Sequence, residues 1–455
     1  MKKFYLRTFG CQMNYSDSER IKAVLERLGY HAANSPASAD LIMLNTCSVR
    51  QHAEDRIFGL MLKYEPLRRK NKRLLIGLTG CMVRKTSSRA DDFKDKILRR
   101  IRPLDFTIRI EEIAKLPEIL GAVSGRAVRK TITSARQKIQ PRELKNYFHI
   151  TPKYTSRFQV FIPISTGCDK FCSYCIVPFS RGRETNRPMK DILKEARAVV
   201  KNGCKEITLV GQTVNSYKNF PKLLVEIDKL NKFGLERVRF TSPYPLDVTD
   251  DLIKAIARLK TLIPYIHLPI QSGDNEVLKR MNRKYTVQQY ENIVRRIRAR
   301  IPNCAISTDI IVGFPGETRE QFMNTYNLFK KIKWDMAYLA QYSPRPGTLS
   351  AKMLKDNVPQ KEKKQRWNML NNLLRRVSLS KHKKFVGRKV RVLVESYKNG
   401  LNMGRSEHFK IIQFKSKKSL VGKIVPVKIV KAYEWILQGK VLTDNNNPVK
   451  IYSYN

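Results

Sequence analysis

Apolar positions along the first 120 residues alternate between two spacings. "FYLRTFGC", "ADLIMLNTC" and "RLLIGLTGC" are short, nearly continuous apolar runs, which predict buried strands. Between them "ERIKAVLERLGY" and "AEDRIFGLMLKYEPL" space their apolar residues three and four apart, as amphipathic helices do. A charged helical stretch follows the third run. This alternation predicts an α/β domain with a parallel sheet over residues 1–120. Residues 121–156 are basic, carry little apolar periodicity, and read as a linker or exposed arm.

A second α/β series occupies residues 157–384. Strands are expected at "QVFIPIS", "EITLVG", "RVRFTS", "YIHLPIQS", "AISTDIIVGF" and "MAYLAQYS", with amphipathic helices between them. Six such repeats fit a partial (β/α)6 barrel, whose chemistry would sit at the carboxyl ends of the strands. "KQRWNMLNNLLRRVSLS" then carries an apolar stripe of Trp367, Leu370, Leu373, Leu374 and Val377, the pattern of core packing. Over residues 385–446 the period changes to two, with Gly and Asn turns, predicting a small antiparallel β-barrel of about five strands.

Composition sharpens this picture in two places. The 455 residues are 42% hydrophobic, enough for packed cores, and a prior of about 100–200 residues per domain suggests two to four domains. The start, "MKKFYLRTFGC", develops no signal-peptide core, and no apolar run reaches the ~18 residues that span a bilayer. A soluble, cytoplasmic monomer is the expectation. Lys and Arg number 89 against 39 Asp and Glu, a formal charge of +50. Such an excess suits a polyanionic partner, RNA or DNA, although a generally basic proteome would produce the same balance. Within the terminal barrel, basic residues are interspersed with Tyr397, Phe409, Phe414, Tyr433 and Trp435, a composition suited to phosphates and unstacked bases and equally to a small core.

The cysteines carry the chemistry. In a reducing compartment eight cysteines read as ligands or core fillers rather than disulfides. Cys11, Cys47 and Cys81 each end an expected strand, and in an open parallel sheet those ends share one edge. "TGCDKFCSYC" places Cys168, Cys172 and Cys175 within eight positions. Structural zinc takes four ligands, and only His149 is near enough in sequence to complete this set. A four-iron cluster held by three thiolates instead leaves one iron open to an outside molecule. Cys204 and Cys304 precede strands, at the far end of the barrel, and read as inert core thiols. His267 lies inside an apolar strand and is at least as readily a satisfied core histidine as a catalytic one.

The C-x3-C-x2-C spacing, with Tyr174 before its third cysteine, resembles the signature of the radical S-adenosylmethionine (SAM) superfamily. Strand-end groups agree with a SAM pocket: Gln212, Asn215, Arg239 with Ser242, Gln271, and Asp309 in "STDIIVGFPGET", which continues through Gly313 to Glu317. With an α/β domain before it and a TRAM-type barrel after it, the chain resembles the methylthiotransferase family over nearly its whole length. "FGCQMNYSDSERI", "NTCSVRQHAEDRIFG", "CIVPFSRGRETNRP", "HLPIQSG", "IVGFPGET" and "YSPRPGT" are similar to the branch acting on N6-dimethylallyl (isopentenyl) adenosine in tRNA; "GCMVRK" departs mildly from the branch's "GCMAQR". The resemblance implies two [4Fe-4S] clusters, an auxiliary one on Cys11, Cys47 and Cys81 and a radical-generating one on Cys168, Cys172 and Cys175. It implies that one SAM methylates a sulfur on the auxiliary cluster, and that a second yields the radical that removes hydrogen from C2 of the adenine at position 37. An external electron donor and a sulfur source are implied partners. The alternatives are methylthiolation of threonylcarbamoyladenosine or of a ribosomal-protein aspartate, and a noncatalytic iron–sulfur RNA-binding or electron-transfer protein.

Overall fold

A computed structural model describes residues 1–47, 51–84, 86–87, 101, 103–124, 133–134 and 141–442. The charged helical stretch expected after Cys81 lies outside these residues.

In the N-terminal domain the strands Lys2–Phe9, Leu41–Thr46 and Leu75–Gly80 lie side by side in parallel, with Phe9 opposite Thr46 and Thr46 opposite Gly80. Their apolar runs are buried on both faces, as a parallel sheet requires. Tyr30–Ala32 adds to one edge; Phe106–Thr107 joins the other in parallel, and Thr86–Ser87 and Thr133–Ser134 continue it with antiparallel pairings. Part of the segment expected as a basic arm is ordered differently. Pro141–His149 is a helix, and Leu144, Tyr147, Phe148 and Ile150 bury in the core of this domain. Apolar spacing over so few residues gives little signal against a basic background.

The first helix also departs from its apolar pattern. It runs Gln12–Arg27, starting before "ERIKAVLERLGY", and Asn14, Ser16, Asp17, Ser18, Glu19 and Arg20 are all buried. These polar residues face the second domain: the Ser16 hydroxyl donates to the Phe161 carbonyl at 3.2 Å, and the Glu19 carboxylate accepts from the Thr155 N–H at 2.8 Å. Arg20 is 3.5 Å from Glu195. A polar stretch is therefore interior because two domains meet there.

In the second domain six parallel strands, Gln159–Pro163, Glu206–Val210, Arg237–Phe240, Tyr265–His267, Ala305–Val312 and Met336–Gln341, form two three-stranded halves. A parallel bridge between Val238 and Leu262 joins them. Helices cover the outside, and Leu370, Leu373 and Leu374 of Gln360–Lys383 bury against the same core.

The terminal barrel closes in the order Lys389–Lys398, Leu401–Ser406, Ile411–Lys415, Leu437–Val441, Ile424–Ala432. It is antiparallel except where Ile411–Lys415 pairs with Leu437–Val441 in parallel. It docks against the amino ends of the second domain's strands. Arg237 donates to the carbonyls of Arg405 and Arg391 at 2.8 and 2.6 Å, and Asp335 pairs with Lys381 and Lys410 at 2.6 and 2.8 Å. Phe414 is in the barrel core, and Phe409 stacks on Tyr265 at 4.6 Å, whereas Tyr433 and Trp435 are exposed.

At the same junction the His382 Nδ1–H donates to the Tyr433 carbonyl at 2.7 Å. Burial, then the charge of Lys410, brings this imidazole down to about 4. The folded state thus resists a proton that the unfolded chain accepts near 6.5, so stability present above that pH is lost as pH falls toward 4. We expect acid destabilisation of up to about 3 kcal/mol from this group, at 1.36 kcal/mol per unit. Denaturant unfolding of His382→Gln should show a flatter profile between these limits; an unchanged profile contradicts the assignment.

Candidate active site

The register of the N-terminal sheet delivers three thiols to one edge. The Cys47 N–H donates to the Phe9 carbonyl and the Cys81 N–H to the Thr46 carbonyl, both at 2.8 Å, so the ladder runs up to the cysteines themselves. Cys11 lies two residues beyond Phe9 at the start of the helix. Gly10 at φ +147° permits that turn, since a Cβ there would stand 2.8 Å from the Cys47 Cβ. Asn14 accepts from the Cys11 N–H and thiol at 3.3 Å and donates to Asn45 at 3.0 Å, a brace beneath the group. Cys47 and Cys81 are buried and Cys11 is exposed, which leaves one open side.

The second group follows the first strand of the six-stranded domain. Gly167, at φ +77°, has the Arg183 carbonyl where a Cβ would sit, at 2.1 Å, so the loop folds tightly onto itself. Residues after the fourth strand hold the loop: the Ser173 N–H and hydroxyl donate to the carbonyls of Met281 and Arg280, and Asn282 donates to that of Phe171. The Thr213 hydroxyl lies 3.3 Å from the Cys168 sulfur.

Buried guanidinium groups serve both sets. Arg181 Nε donates to the Cys81 Sγ at 3.4 Å, and Arg283 Nη1 to the Cys172 Sγ at 3.3 Å. A hydrogen bond from Cys47 and the charge of Arg181 outweigh burial and bring the Cys81 thiol down to about 6. Burial above all pushes Cys168 and Cys175 up. Cys81 is near enough for its charge to act on Cys175, so the two groups are neighbours. Among the described residues no three His, Cys, Asp or Glu converge as tightly as a single metal ion requires, and His149 is exposed at the end of its helix. Three thiols, wider spacing and cationic N–H donors aimed at sulfur fit a four-iron cluster better than one zinc ion.

The six expected SAM-pocket residues separate. Gln212 lies beside Thr213, and its buried Oε1 has no protein partner. Asn215 spends its amide on the backbone of Tyr244, donating to its carbonyl at 2.9 Å and accepting from its N–H at 2.7 Å. Gln271, at φ +73°, lies at the strand ends, its N–H bonded to the Asp309 carbonyl. Asp309 accepts from or donates to His267 Nε2 at 3.1 Å, and His267 Nδ1 meets Ser307 at 2.8 Å, so this histidine is satisfied on both nitrogens. Arg239 departs from expectation: it pairs with Glu206 at 3.0 Å and lies over Phe409 at 4.5 Å, toward the terminal barrel. Its strand is short, and its side chain reaches the amino end. Glu317 accepts from the Gly313 N–H at 2.6 Å and from Arg366 at 2.7 Å, holding the "GFPGE" turn.

Sequence reasoning missed Arg181, Arg283, Asp17 and the Asn14–Asn45 brace. Arg181 stands in "CIVPFSRGRETNRP", but only the fold shows that it reaches Cys81. Cys204 and Cys304 are buried near the amino ends and pushed up to about 12 by burial, which keeps them as unreactive thiols.

Removing Glu317 strands the buried Arg366. Glu317→Ala should destabilise the chain by about 3–5 kcal/mol, the usual cost of breaking a buried pair. Glu317→Gln, which keeps an acceptor for Gly313, should cost less. Equal denaturation midpoints for the two variants would contradict this role.

Three family models match the chain: the radical SAM superfamily over residues 162–329, an uncharacterized protein family, UPF0004, over 3–98, and the TRAM domain over 383–442. A tRNA-2-methylthio-N(6)-dimethylallyladenosine synthase of Bacillus cytotoxicus is 41% identical over 453 residues, covering 97% of this chain and 86% of that protein. The enzyme of that name from Thermotoga petrophila is 39% identical over 455 residues, covering 98% of each. Among solved structures, the radical SAM methyltransferase TsrM of Kitasatospora setae with cobalamin and a [4Fe-4S] cluster bound superposes with a TM-score of 0.55 at 14% identity, over 89% of this chain and 81% of that one, a likeness of fold. On identity, coverage and domain order, this chain belongs to the family of tRNA-2-methylthio-N(6)-dimethylallyladenosine synthases.

Proposed function

We propose that this chain is a cytoplasmic enzyme that replaces the C2 hydrogen of N6-dimethylallyladenosine at position 37 of tRNA with a methylthio group, using SAM and two [4Fe-4S] clusters. The observation that carries the reading is the adjacency of two three-cysteine groups in a chain with such relatives. With clusters bound, the Cys168 group would support one-electron cleavage of SAM to a hydrogen-abstracting radical, and the Cys11 group would hold the sulfur to be transferred. An external electron donor and a sulfur source complete the reaction.

The chain's own residues orient and enclose. Arg181 and Arg283 donate to ligand sulfurs, stabilising thiolate charge in a buried setting. Gln212 offers an unpaired acceptor beside Cys168, suited to an ammonium or hydroxyl of SAM. The His267–Asp309 pair faces the interior of the six strands, and the Asp309 side chain, 37% exposed, keeps a surface for a ligand. The terminal barrel, with Tyr433 and Trp435 exposed, presents lysines and arginines to RNA phosphates, which position without reading sequence. An unstacked loop base suits an enzyme that must surround its target carbon.

Nucleoside mass spectrometry of tRNA from cells lacking the gene should show N6-dimethylallyladenosine without its 2-methylthio form, restored by the wild-type chain. Complementation with Cys47→Ala should leave the methylthio form missing, while the purified variant, assayed without oxygen, still makes 5′-deoxyadenosine from SAM. Cys172→Ala should lose 5′-deoxyadenosine as well. Normal methylthio-adenosine from the Cys47 variant would overturn the auxiliary role.

A further inference from the structure

Arg181 comes from the loop after Cys175, in the second domain, yet its partners belong to the first. Its Nε donates to Cys81 at 3.4 Å and its Nη2 to Asp17 at 2.5 Å. The Arg181 side chain is 2% exposed and that of Asp17 fully buried. Asp17 is itself fixed from behind, because the Tyr147 hydroxyl donates to its other oxygen at 2.6 Å. The guanidinium therefore spans the domain boundary with its direction set at both ends. No other described contact joins the segment of one cysteine group to a cysteine of the other by a hydrogen bond.

We infer that Arg181 is a positioning residue that couples the two cysteine groups, holding a positive charge and an N–H donor on Cys81 from the domain that carries Cys168, Cys172 and Cys175. This rests on the auxiliary-cluster reading above. An N–H donor and a cation beside a cluster thiolate favour the more negative, reduced state and so raise the reduction potential. Because the donor is anchored in the other domain, the potential of the auxiliary set depends on how the two domains are seated. Lysine keeps the charge but loses the fork that reaches Cys81 and Asp17 together.

The test uses the full chain, reconstituted without oxygen, in a background with Cys168, Cys172 and Cys175 changed to Ala, so that only the auxiliary set reports. Iron and sulfide are counted, and an EPR-monitored redox titration gives the midpoint potential. R181Q should keep the iron of the background and titrate at a lower potential, with R181K between the two. In the otherwise wild-type chain R181Q should lose roughly 10- to 100-fold of methylthio product, the usual cost of removing an outer partner of a metal ligand, and continue to form 5′-deoxyadenosine. Should R181Q not fold, R181K carries the same comparison. Full iron with an unmoved potential in the variant overturns the inference alone. A background chain that takes up no iron overturns the auxiliary reading and the inference with it.

Discussion

The site depends on a constraint of parallel sheets: the carboxyl ends of all strands lie on one edge, and pairing register decides which residues meet there. Phe9, Thr46 and Gly80 are cross-strand neighbours, so cysteines tens of residues apart in sequence emerge side by side. The backbone bonds from Cys47 and Cys81 extend the ladder by one more step. A register slip of one residue in any of these strands would turn its cysteine to the opposite face. The ligand set is thus a consequence of the same hydrogen bonds that make the sheet.

Bringing this edge against the second domain requires burying polar surface. The helix Gln12–Arg27 does so with residues that each find a partner across the boundary: Ser16 with Phe161, Glu19 with Thr155, Asp17 with Arg181. Buried charges are costly unless paired, and paired ones specify a single seating. The interface therefore trades apolar burial for orientation, which suits two sites that must act on one substrate. At the other end of the six strands the terminal barrel is seated by Arg237, Asp335 and Phe409, which leaves the cysteine end for chemistry.

The fold was legible wherever burial is one-sided or complete. Every strand of the second domain announced itself as an apolar run, as did the stripe on Gln360–Lys383. The cysteine groups were legible because thiols are scarce and their spacing is fixed by chemistry. Interface residues were not: "NYSDSER" reads as surface, and Pro141–His149 as an arm, since a linear pattern does not say which polar residues a second domain will cover. The SAM pocket was legible only as a set of strand ends. Gln212 is placed beside the cysteines, while Arg239, from an equally plausible position, is turned to the terminal barrel by Glu206 and Phe409.

The central claim is that two clusters stand next to each other, one on each cysteine group. EPR of the fully reduced, oxygen-free chain measures this most directly, through the magnetic coupling of the two centres. The account predicts a signal broadened by that coupling, which becomes a simple, uncoupled one when either Cys47 or Cys172 is replaced by Ala. A wild-type signal equal to the sum of those two uncoupled spectra, or one that never exceeds a single centre, would contradict it.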